Sequence, residues 1–214
     1  MDEPLDTVGA AVRREIVVQR SRFIATLAPA AERAAADAVI AEVRREMFDA
    51  RHHCTGMIFG LHGERERSND DGEPAGTAGA PILAVLRGSG LSDVVTVVTR
   101  YFGGALLGTG GLARAYSGAT AAAVEAATRL ARRRLAVIDV TTALQNAGRL
   151  EHRLRTWAET ASAEVAEGRY TGEGATFEVA APPAANQELR ALLAASGLQH
   201  VLSERGEEVR PIGG

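Results

Sequence analysis

Apolar residues recur with two different periods along the first half of the chain. Residues 16–18 (IVV) and 23–24 (FI) lie in β-prone segments on either side of a polar turn, which predicts a pair of strands. From about residue 30 to residue 48 the apolar positions return at helical spacing, which predicts an amphipathic helix. RHHCTGMIFG, at residues 51–60, is typical of a further strand.

The strongest strand signal is DVVTVVTRYFGG, at residues 93–104, whose nearly continuous β-branched run is expected of a strand covered on both faces. APILAVL, at residues 80–86, predicts a short helix because proline suits a first helical turn. Glycines crowd residues 103–111, and a helix is predicted from there to about residue 130. One face of that helix carries Leu112, Tyr116, Ala119 and Ala123, so we expect Tyr116 to lie in the core.

The second half of the chain begins with a change in composition at RLARRRL, residues 129–135. The pattern beyond it predicts, in order, a strand at 136–144, a helix at 148–160, strands at 163–170 and 174–181, a helix at 183–196 and a strand at 199–205. This βαββαβ order is the ferredoxin-like split motif. We therefore predict an α+β protein with two domains, at residues 1–134 and 135–214.

Composition narrows the choice of partners and compartment. The formal net charge is −3, so any affinity for a polyanion must come from a local patch. All 24 basic residues are arginine, which excludes chemistry that needs a lysine amine. Cys54 is the only cysteine, so no intrachain disulfide can form. No apolar run approaches the ~18 residues of a membrane helix. A cytoplasmic protein without a membrane partner is predicted.

An acidic loop, NDDGEPAGTAGAP at residues 69–81, offers the sharpest chemistry. Asp70, Asp71 and Glu73 could hold Mg²⁺ through one or two carboxylates and waters. The alternative is a structural turn, in which Asn and Asp bond to nearby backbone and Asp71 or Thr77 caps a helix. Turn chemistry accounts for nearly every residue, so the local pattern favours the turn, and no resident metal is predicted.

His52, His53 and Cys54 resemble metal ligands, but consecutive residues on a strand point to alternate faces. No second His/Cys pair stands at zinc spacing, so no structural zinc is expected. His52 is either an acid–base group or a hydrogen-bonded packing residue, and the sequence leaves both open. Cys54 is expected to behave as a small buried hydrophobe instead of a nucleophile.

A glycine segment, YFGGALLGTGGLARAY at residues 101–116, follows a strand and opens a helix, where free N–H groups favour an anion. Tight turns and close packing explain the glycines equally well. The segment matches a dinucleotide fingerprint only loosely, because the glycines stand far from the strand and Glu125, the acidic residue at roughly the right distance, lies within the predicted helix instead of at a strand end. No cofactor is predicted.

Charged and aromatic residues alternate around the glycine segment, as on surfaces that bind single-stranded nucleic acid. Our hypothesis is that Arg100 and Arg114 flank a surface that binds phosphate or carboxylate groups. The complete candidate set for ligand or anion binding is Thr77, Arg100, Tyr101, Gly103, Gly104, Gly108, Gly110, Gly111 and Arg114.

Four blocks of this sequence are similar to the signature of the YigZ/IMPACT family. They are NDDGEPAGTAGAPIL, VVTVVTRYFGGALLGTGGLARAYSGA, SRFIA and ARHHC, and the match spans about residues 12–130. Asn69 and Ala80 depart from the pattern, at positions where serine and a basic or polar residue are frequent. The C-terminal half resembles the extra domain of the bacterial YigZ branch, which is similar to a domain of elongation factor G.

The resemblance implies an N-terminal ribosomal-protein/RNase PH-like α/β domain with a mostly antiparallel sheet. Eukaryotic IMPACT proteins act in translational control through a different partner-binding domain, so their role is not expected to transfer whole. We predict a binding or regulatory factor linked to translation, without enzymatic activity, whose partner is RNA or a ribosome-associated protein. The alternative is a metal-assisted hydrolase or phosphoryl-handling enzyme that uses His52, Asp70, Asp71 and Glu73. A nucleotide-binding oxidoreductase is a third, weaker possibility, and the oligomeric state is left open.

Overall fold

The computed structural model describes residues 3–212 and shows an α+β chain with two compact units. The N-terminal unit runs to Arg132 and takes in Pro211, and the C-terminal unit is Arg133–Arg210. No helix among residues 3–212 is long and apolar enough to cross a bilayer.

The N-terminal unit contains three helices and the first six strands, followed by the start of a seventh. The elements are β1 (Thr7–Val8), β2 (Val12–Val18), β3 (Ser21–Pro29), α1 (Arg33–Glu46), β4 (His52–Phe59), β5 (Arg65–Asn69), α2 (Gly79–Ser89), β6 (Val94–Tyr101), α3 (Gly108–Glu125) and β7 (Arg129–Thr142). The helix predicted at 80–86 spans Gly79–Ser89. Gly90 caps its C-terminal end with a φ of +70°, a left-handed conformation that suits glycine.

Five of these strands form one sheet in the order β2-β3-β6-β4-β5, and every neighbouring pair is antiparallel. Helix α1 packs on one face, where Val43 and Met47 meet Val95 and Val97. Helices α2 and α3 pack on the other face, where the core includes Phe23, Ile82, Leu86, Val98 and Tyr116. Helices on both faces explain why the valine run of β6 is buried throughout, as its sequence predicts.

Strand register places three side chains in a row near one end of this sheet. Arg100 of β6 lies opposite Phe23 of β3 on one side and opposite His52 of β4 on the other. Directly paired residues point to the same face of a sheet, so this row lies on the side covered by α2 and α3.

β7 begins at Arg129, seven residues earlier than the predicted strand. Its first residues pair with β1, with Thr7 opposite Leu130 and Val8 opposite Arg129. The Arg132 side chain is buried, where it donates to the Asp93 carboxylate and to the Leu5 carbonyl. The arginine-rich segment is therefore the start of a strand, and the buried Arg132 finds its acceptors within the N-terminal unit.

The C-terminal unit continues from β7 and carries two helices on one face of its sheet. Its elements are α4 (Ala147–Ala161), β8 (Glu164–Val165), β9 (Arg169–Tyr170), β10 (Ala175–Ala181), α5 (Asn186–Ala195) and β11 (His200–Ile212), with 3₁₀ turns at Leu144–Asn146 and Pro183–Ala185. β11 pairs with β7, β7 with β10, and β10 with β8 and β9. This is the ferredoxin-like arrangement. The predicted strand at 163–170 is in fact two short strands, β8 and β9.

Candidate functional site

Asp70 holds the end of the acidic loop against α2. Its Oδ1 accepts the N–H groups of Ala78 and Gly79, at 3.0 and 2.7 Å, and its Oδ2 accepts that of Gly76 at 2.8 Å. Burial alone would raise the pKa of this carboxyl, but the three N–H donors outweigh burial and lower it. Asp70 therefore caps the start of α2, a role that the sequence assigned to Asp71 or Thr77; the Thr77 hydroxyl donates to the Pro74 carbonyl.

Asp71 ties the same loop to β4 and α1. Its Oδ2 accepts the His53 backbone N–H at 2.7 Å, and its Oδ1 accepts the Arg44 guanidinium at 2.5 Å. Burial raises the pKa of Asp71, but the bonds from His53 and Arg44 outweigh it and leave the pKa lowered. The Asp71 N–H donates to Asn69 Oδ1, which closes an Asx turn. The carboxylate is thus engaged on both oxygens.

Glu73 connects the acidic loop with the glycine segment. Its Oε1 accepts both Arg100 Nη1 and the Tyr116 hydroxyl, each at 2.7 Å. Glu73 and Arg100 are only 8% and 7% exposed, and Tyr116 is fully buried as the sequence predicts. Arg100 on β6 directly precedes the glycine segment and Tyr116 on α3 is its last residue, so one carboxylate holds both ends of the segment.

The Arg100 guanidinium also lies between two aromatic rings. Its central carbon is 5.5 Å from the centroid of Phe23 and 5.6 Å from that of Phe102. Phe23 in turn meets Tyr116 edge to face, with centroids 5.2 Å apart. The buried Nε of Arg100 has no hydrogen-bond partner within the described residues. The guanidinium is therefore held by stacking and by a single carboxylate.

The groups beside this network remain protonated or neutral. The Cys54 thiol donates to the Asp70 carbonyl at 3.0 Å and lies 3.3 Å from the Tyr116 hydroxyl; burial raises its pKa to about 12. Burial is also the main cause that raises the pKa of Tyr116. His53 Nε2 is 3.1 Å from the Met47 carbonyl, and burial lowers the pKa of its imidazole. Cys54 thus packs as a small hydrophobe with a weak donor.

His52 has one ring edge on the acidic loop. Its Nδ1 lies 2.8 Å from the Asp71 carbonyl, which can only accept, so Nδ1 carries the proton in this bond. A Cβ at Gly72 would stand 3.6 Å from the same ring edge. In the neutral ring Nε2 is then an acceptor.

The residues of the alternative catalytic set do not meet around a common point. Asp70 turns to backbone donors, Asp71 to Arg44, and Glu73 to Arg100 and Tyr116. Within residues 3–212 no group of three or more His, Cys, Asp or Glu side chains is arranged to hold a metal ion. The three carboxylates act as internal acceptors that shape the loop.

The glycine segment approaches the β2–β3 turn closely. The Gly103 N–H donates to Ser21 Oγ at 3.0 Å, and a Cβ at Gly103 would stand 2.0 Å from the Arg20 carbonyl carbon. Only glycine allows this approach. Further along, Gly108 begins α3 and is exposed with Gly110, while Gly104 is exposed and Gly111 half-buried.

The two polar residues at the ends of the segment differ in their surroundings. The Tyr101 hydroxyl donates to Asp49 at 2.8 Å, and its ring carries the Arg22 guanidinium. Arg114 is exposed on α3, with Nη1 3.6 Å from the position of a Cβ at Gly110.

A pocket of about 340 Å³ lies between the start of β4 and the glycine segment. We call it the two-loop pocket, and it is lined by Arg51, His52, Arg100, Phe102 and Leu106. Phe102 is 55% exposed and Leu106 is 90% exposed, so apolar side chains stand at its mouth. Sequence reasoning missed Arg51 and Leu106 as site residues. The available signal was an apolar residue inside a glycine-rich loop, outside any helical or strand period.

Three of the four arginines at residues 129–134 have separate partners. Arg129 lies 3.9 Å from Asp6, Arg132 pairs with Asp93, and Arg134 lies 3.3 Å from Glu207. Strand alternation disperses them, so this segment does not form a single basic patch.

Comparison with known proteins agrees with the resemblance noted in the sequence. The Impact N-terminal domain family matches residues 19–124. The chain is 36% identical to IMPACT family member YvyE of Bacillus subtilis over 149 residues, which covers 70% of this chain and 69% of that protein. It is 50% identical to IMPACT family member YigZ of Escherichia coli over 103 residues, 47% of this chain and 50% of that one.

A crystal structure of a hypothetical protein matches nearly the whole chain. Its TM-score is 0.62 at 34% identity, and the match covers 94% of this chain and 98% of the other. The agreement therefore extends over both units, beyond the segment matched by the family model. Together with the signature blocks around the two-loop pocket, these matches show that the chain belongs to the YigZ/IMPACT family.

Proposed function

We propose that this protein is a binding factor that regulates translation without enzymatic activity, and that it contacts RNA through the two-loop pocket and its rim. The observation that carries the proposal is the pocket itself, which is lined by residues of two signature blocks, ARHHC and VVTVVTRYFGGALLGTGGLARAYSGA. Family membership supports the link to translation, because eukaryotic IMPACT proteins act in translational control.

The state of the polar groups supports binding over catalysis. A general base or nucleophile must reach its substrate with a pKa near the working pH. Here Asp70, Asp71 and Glu73 are engaged by internal donors. The Cys54 thiol, with its pKa raised to about 12, is protonated at neutral pH. The chemistry-bearing side chains of the motif therefore fix the shape of a surface.

The composition of the rim supports RNA as the partner. Exposed Phe102 and Leu106 offer apolar area for stacking, and exposed Arg51 offers a cation for phosphate. Because the whole chain carries a net charge of −3, attraction to RNA must be local. We expect binding that weakens strongly as the salt concentration rises.

The test is equilibrium binding of the full-length protein to purified ribosomal subunits and to ribosomal RNA freed of protein, at several salt concentrations. A reconstituted translation reaction measures whether added protein changes the rate of synthesis. We expect salt-sensitive binding both to the ribosomal subunits and to the free ribosomal RNA, and a change in the rate of protein synthesis. Binding to subunits that is lost on free RNA would identify a ribosomal protein as the partner and contradict the RNA proposal. Mg²⁺-dependent turnover of RNA or nucleotides would contradict the non-enzymatic role.

A further inference from the structure

We propose that the two-loop pocket binds one base of a single-stranded RNA, turned out of its strand, with the base against Phe102 and Leu106 and a flanking phosphate at Arg51. This inference rests on the proposed RNA-binding function and names the ligand of that site. The pocket has two kinds of lining for such a ligand, apolar side chains for the base and cationic side chains for the phosphate.

The size of the pocket suits a single nucleotide unit. Ligand pockets typically measure about 300–1,000 Å³, and the two-loop pocket, at about 340 Å³, is at the lower end. A duplex does not fit such a volume, whereas an unstacked base does. Sequence-specific RNA-binding proteins commonly hold splayed bases on aromatic side chains or on Arg guanidinium planes.

Arg100 forms an unusually well-fixed part of the wall. It is 7% exposed, stacks between Phe23 and Phe102, and is neutralised on one side by Glu73. Its Nε is buried without a partner in the described residues, and such an unpaired donor carries a desolvation cost. The guanidinium that lines the pocket therefore has donor capacity left over for a keto oxygen of a base.

His52 adds the opposite polarity. Its Nδ1–H is committed to the Asp71 carbonyl, so the neutral ring offers Nε2 as an acceptor. An acceptor next to a guanidinium donor complements the edge of a base, which carries both amino or imino donors and keto acceptors. A purely apolar peptide side chain would leave both groups without partners.

The charge of the lining favours an anionic ligand such as a nucleotide over a cationic or neutral one. The described lining residues include two arginines and a histidine and no carboxylate. Glu73, the nearest acid in the network, is already paired with Arg100. Arg51 is exposed and lies beside His52 at the start of β4, so its guanidinium can follow the phosphate that flanks the bound base.

The experiment uses a fluorescent hexauridylate and the full-length protein, with anisotropy as the measure of affinity. Phe102→Ala should weaken binding about 10-fold, since a base stacked on an aromatic ring contributes about that factor or more. Leu106→Ser should also weaken binding, because it removes apolar contact area from the pocket. Phe48→Ala is the matched control, because Phe48 is 82% exposed and lies outside the pocket. A hexamer with one abasic nucleotide at each position in turn should lose affinity at one position.

Arg51→Gln should reduce the slope of log affinity against log salt by about 0.7, the value for one phosphate contact on a single strand. Arg45→Gln, at an exposed arginine of α1 outside the pocket, should leave the slope unchanged. A 4-thiouridine hexamer should crosslink, on irradiation, to residues 102–106, as mapped by mass spectrometry. This readout does not depend on any variant folding.

The outcomes separate the pocket from the proposed function. Three outcomes would overturn the proposal that the pocket binds a base. They are equal weakening by Phe102→Ala and Phe48→Ala, equal binding of every abasic hexamer, and crosslinks only outside residues 102–106. Each of these can occur while the protein still binds ribosomal subunits, so the proposed function would stand. Absence of binding to subunits and to free RNA would remove both. Tighter binding of free uridine monophosphate than of the hexamer would also overturn the pocket, since it would indicate a mononucleotide site.

Discussion

Replacing Glu73 by glutamine should destabilise the N-terminal unit and let the structure around Cys54 open more often. The substitution keeps the shape of the side chain and an oxygen for Tyr116, but it leaves the Arg100 cation uncompensated at 7% exposure. Removing one partner of a buried ion pair commonly costs about 3–5 kcal/mol, much more than the pair contributes relative to an apolar replacement. We therefore expect the free energy of unfolding to fall by about 3 kcal/mol, because the retained amide still accepts hydrogen bonds.

Cys54 provides the assay. It is the only cysteine and it is fully buried beside Tyr116, with a pKa raised to about 12 by burial. A thiol reagent can therefore label it at neutral pH only when this part of the protein opens. A loss of about 3 kcal/mol raises the population of the open state, and hence the labelling rate, by about 100-fold. The reaction is followed in native buffer by mass spectrometry.

Two comparisons make the test specific. Glu15→Gln is the control, because Glu15 and Arg22 form an ion pair of 2.8 Å at the surface, close to the 2.7 Å of the buried pair, and its labelling rate should hardly change. Arg100→Met should open the site about as much as Glu73→Gln, and the double variant should be less open than the sum of both effects predicts. Additive effects, or less than about a 5-fold increase in both single variants, would refute the argument that the buried pair locks the two motifs together.

Three further predictions concern caps, pH and sterics. Asp70→Ala should lower the free energy of unfolding by about 1–2 kcal/mol, as for other lost helix caps. Because the folded-state pKa of Asp70 is lowered, its contribution is present above about pH 4 and is lost as the pH falls. Urea titrations of this variant should therefore show a smaller loss of stability towards acid pH than those of the parent protein. The folded-state pKa of His53 is lowered, so stability should decline as the pH falls below the unfolded value of about 6.5, and His53→Gln should flatten that decline in thermal scans between pH 5 and 7. Gly103→Ala should destabilise by about 1–3 kcal/mol because its Cβ would collide with the Arg20 backbone, whereas Gly88→Ala, in open space on α2, should raise the midpoint of unfolding.

The sequence predicted the elements whose patterns agree with their environment. The valine run of β6 is buried on both faces, and the stripe that includes Tyr116 faces the core. The order of strands and helices after β7 was sufficient for the ferredoxin-like unit. In these segments local periodicity and tertiary burial indicate the same structure, which is why single-sequence reasoning succeeds there.

The missed strands lack such a pattern. β5 (RERSN) carries no apolar residue, and it is a strand because β4 and the close approach of Gly79 fix its backbone. β1 has only two residues, and its partner is far along the chain. Edge and terminal strands of this kind are specified by pairing and not by their own composition.

The sequence indicated which loops form the site, but it did not indicate which side chains in those loops pair with each other. The signature blocks indicated the right loops, yet the partners of Glu73 stand 27 and 43 residues away and the Asp71–Arg44 pair spans 27. Nothing in a local pattern says which of several carboxylates meets which arginine. The sequence therefore left a metal loop and a turn as alternatives, whereas the geometry shows three carboxylates with three sets of internal donors.

The pairing of β1 with β7 has a consequence for how the chain leaves the ribosome. Thr7 and Leu130 are partners across 123 residues, so β1 emerges early and its neighbour emerges only after about three fifths of the chain has been made. Bringing together two strands so far apart in sequence delays folding and leaves the nascent chain incompletely packed, with Val8 not yet buried in the core. Synthesis that stalls before residue 130 would thus release a fragment without its closing strand, and such fragments are natural substrates for chaperones and proteases.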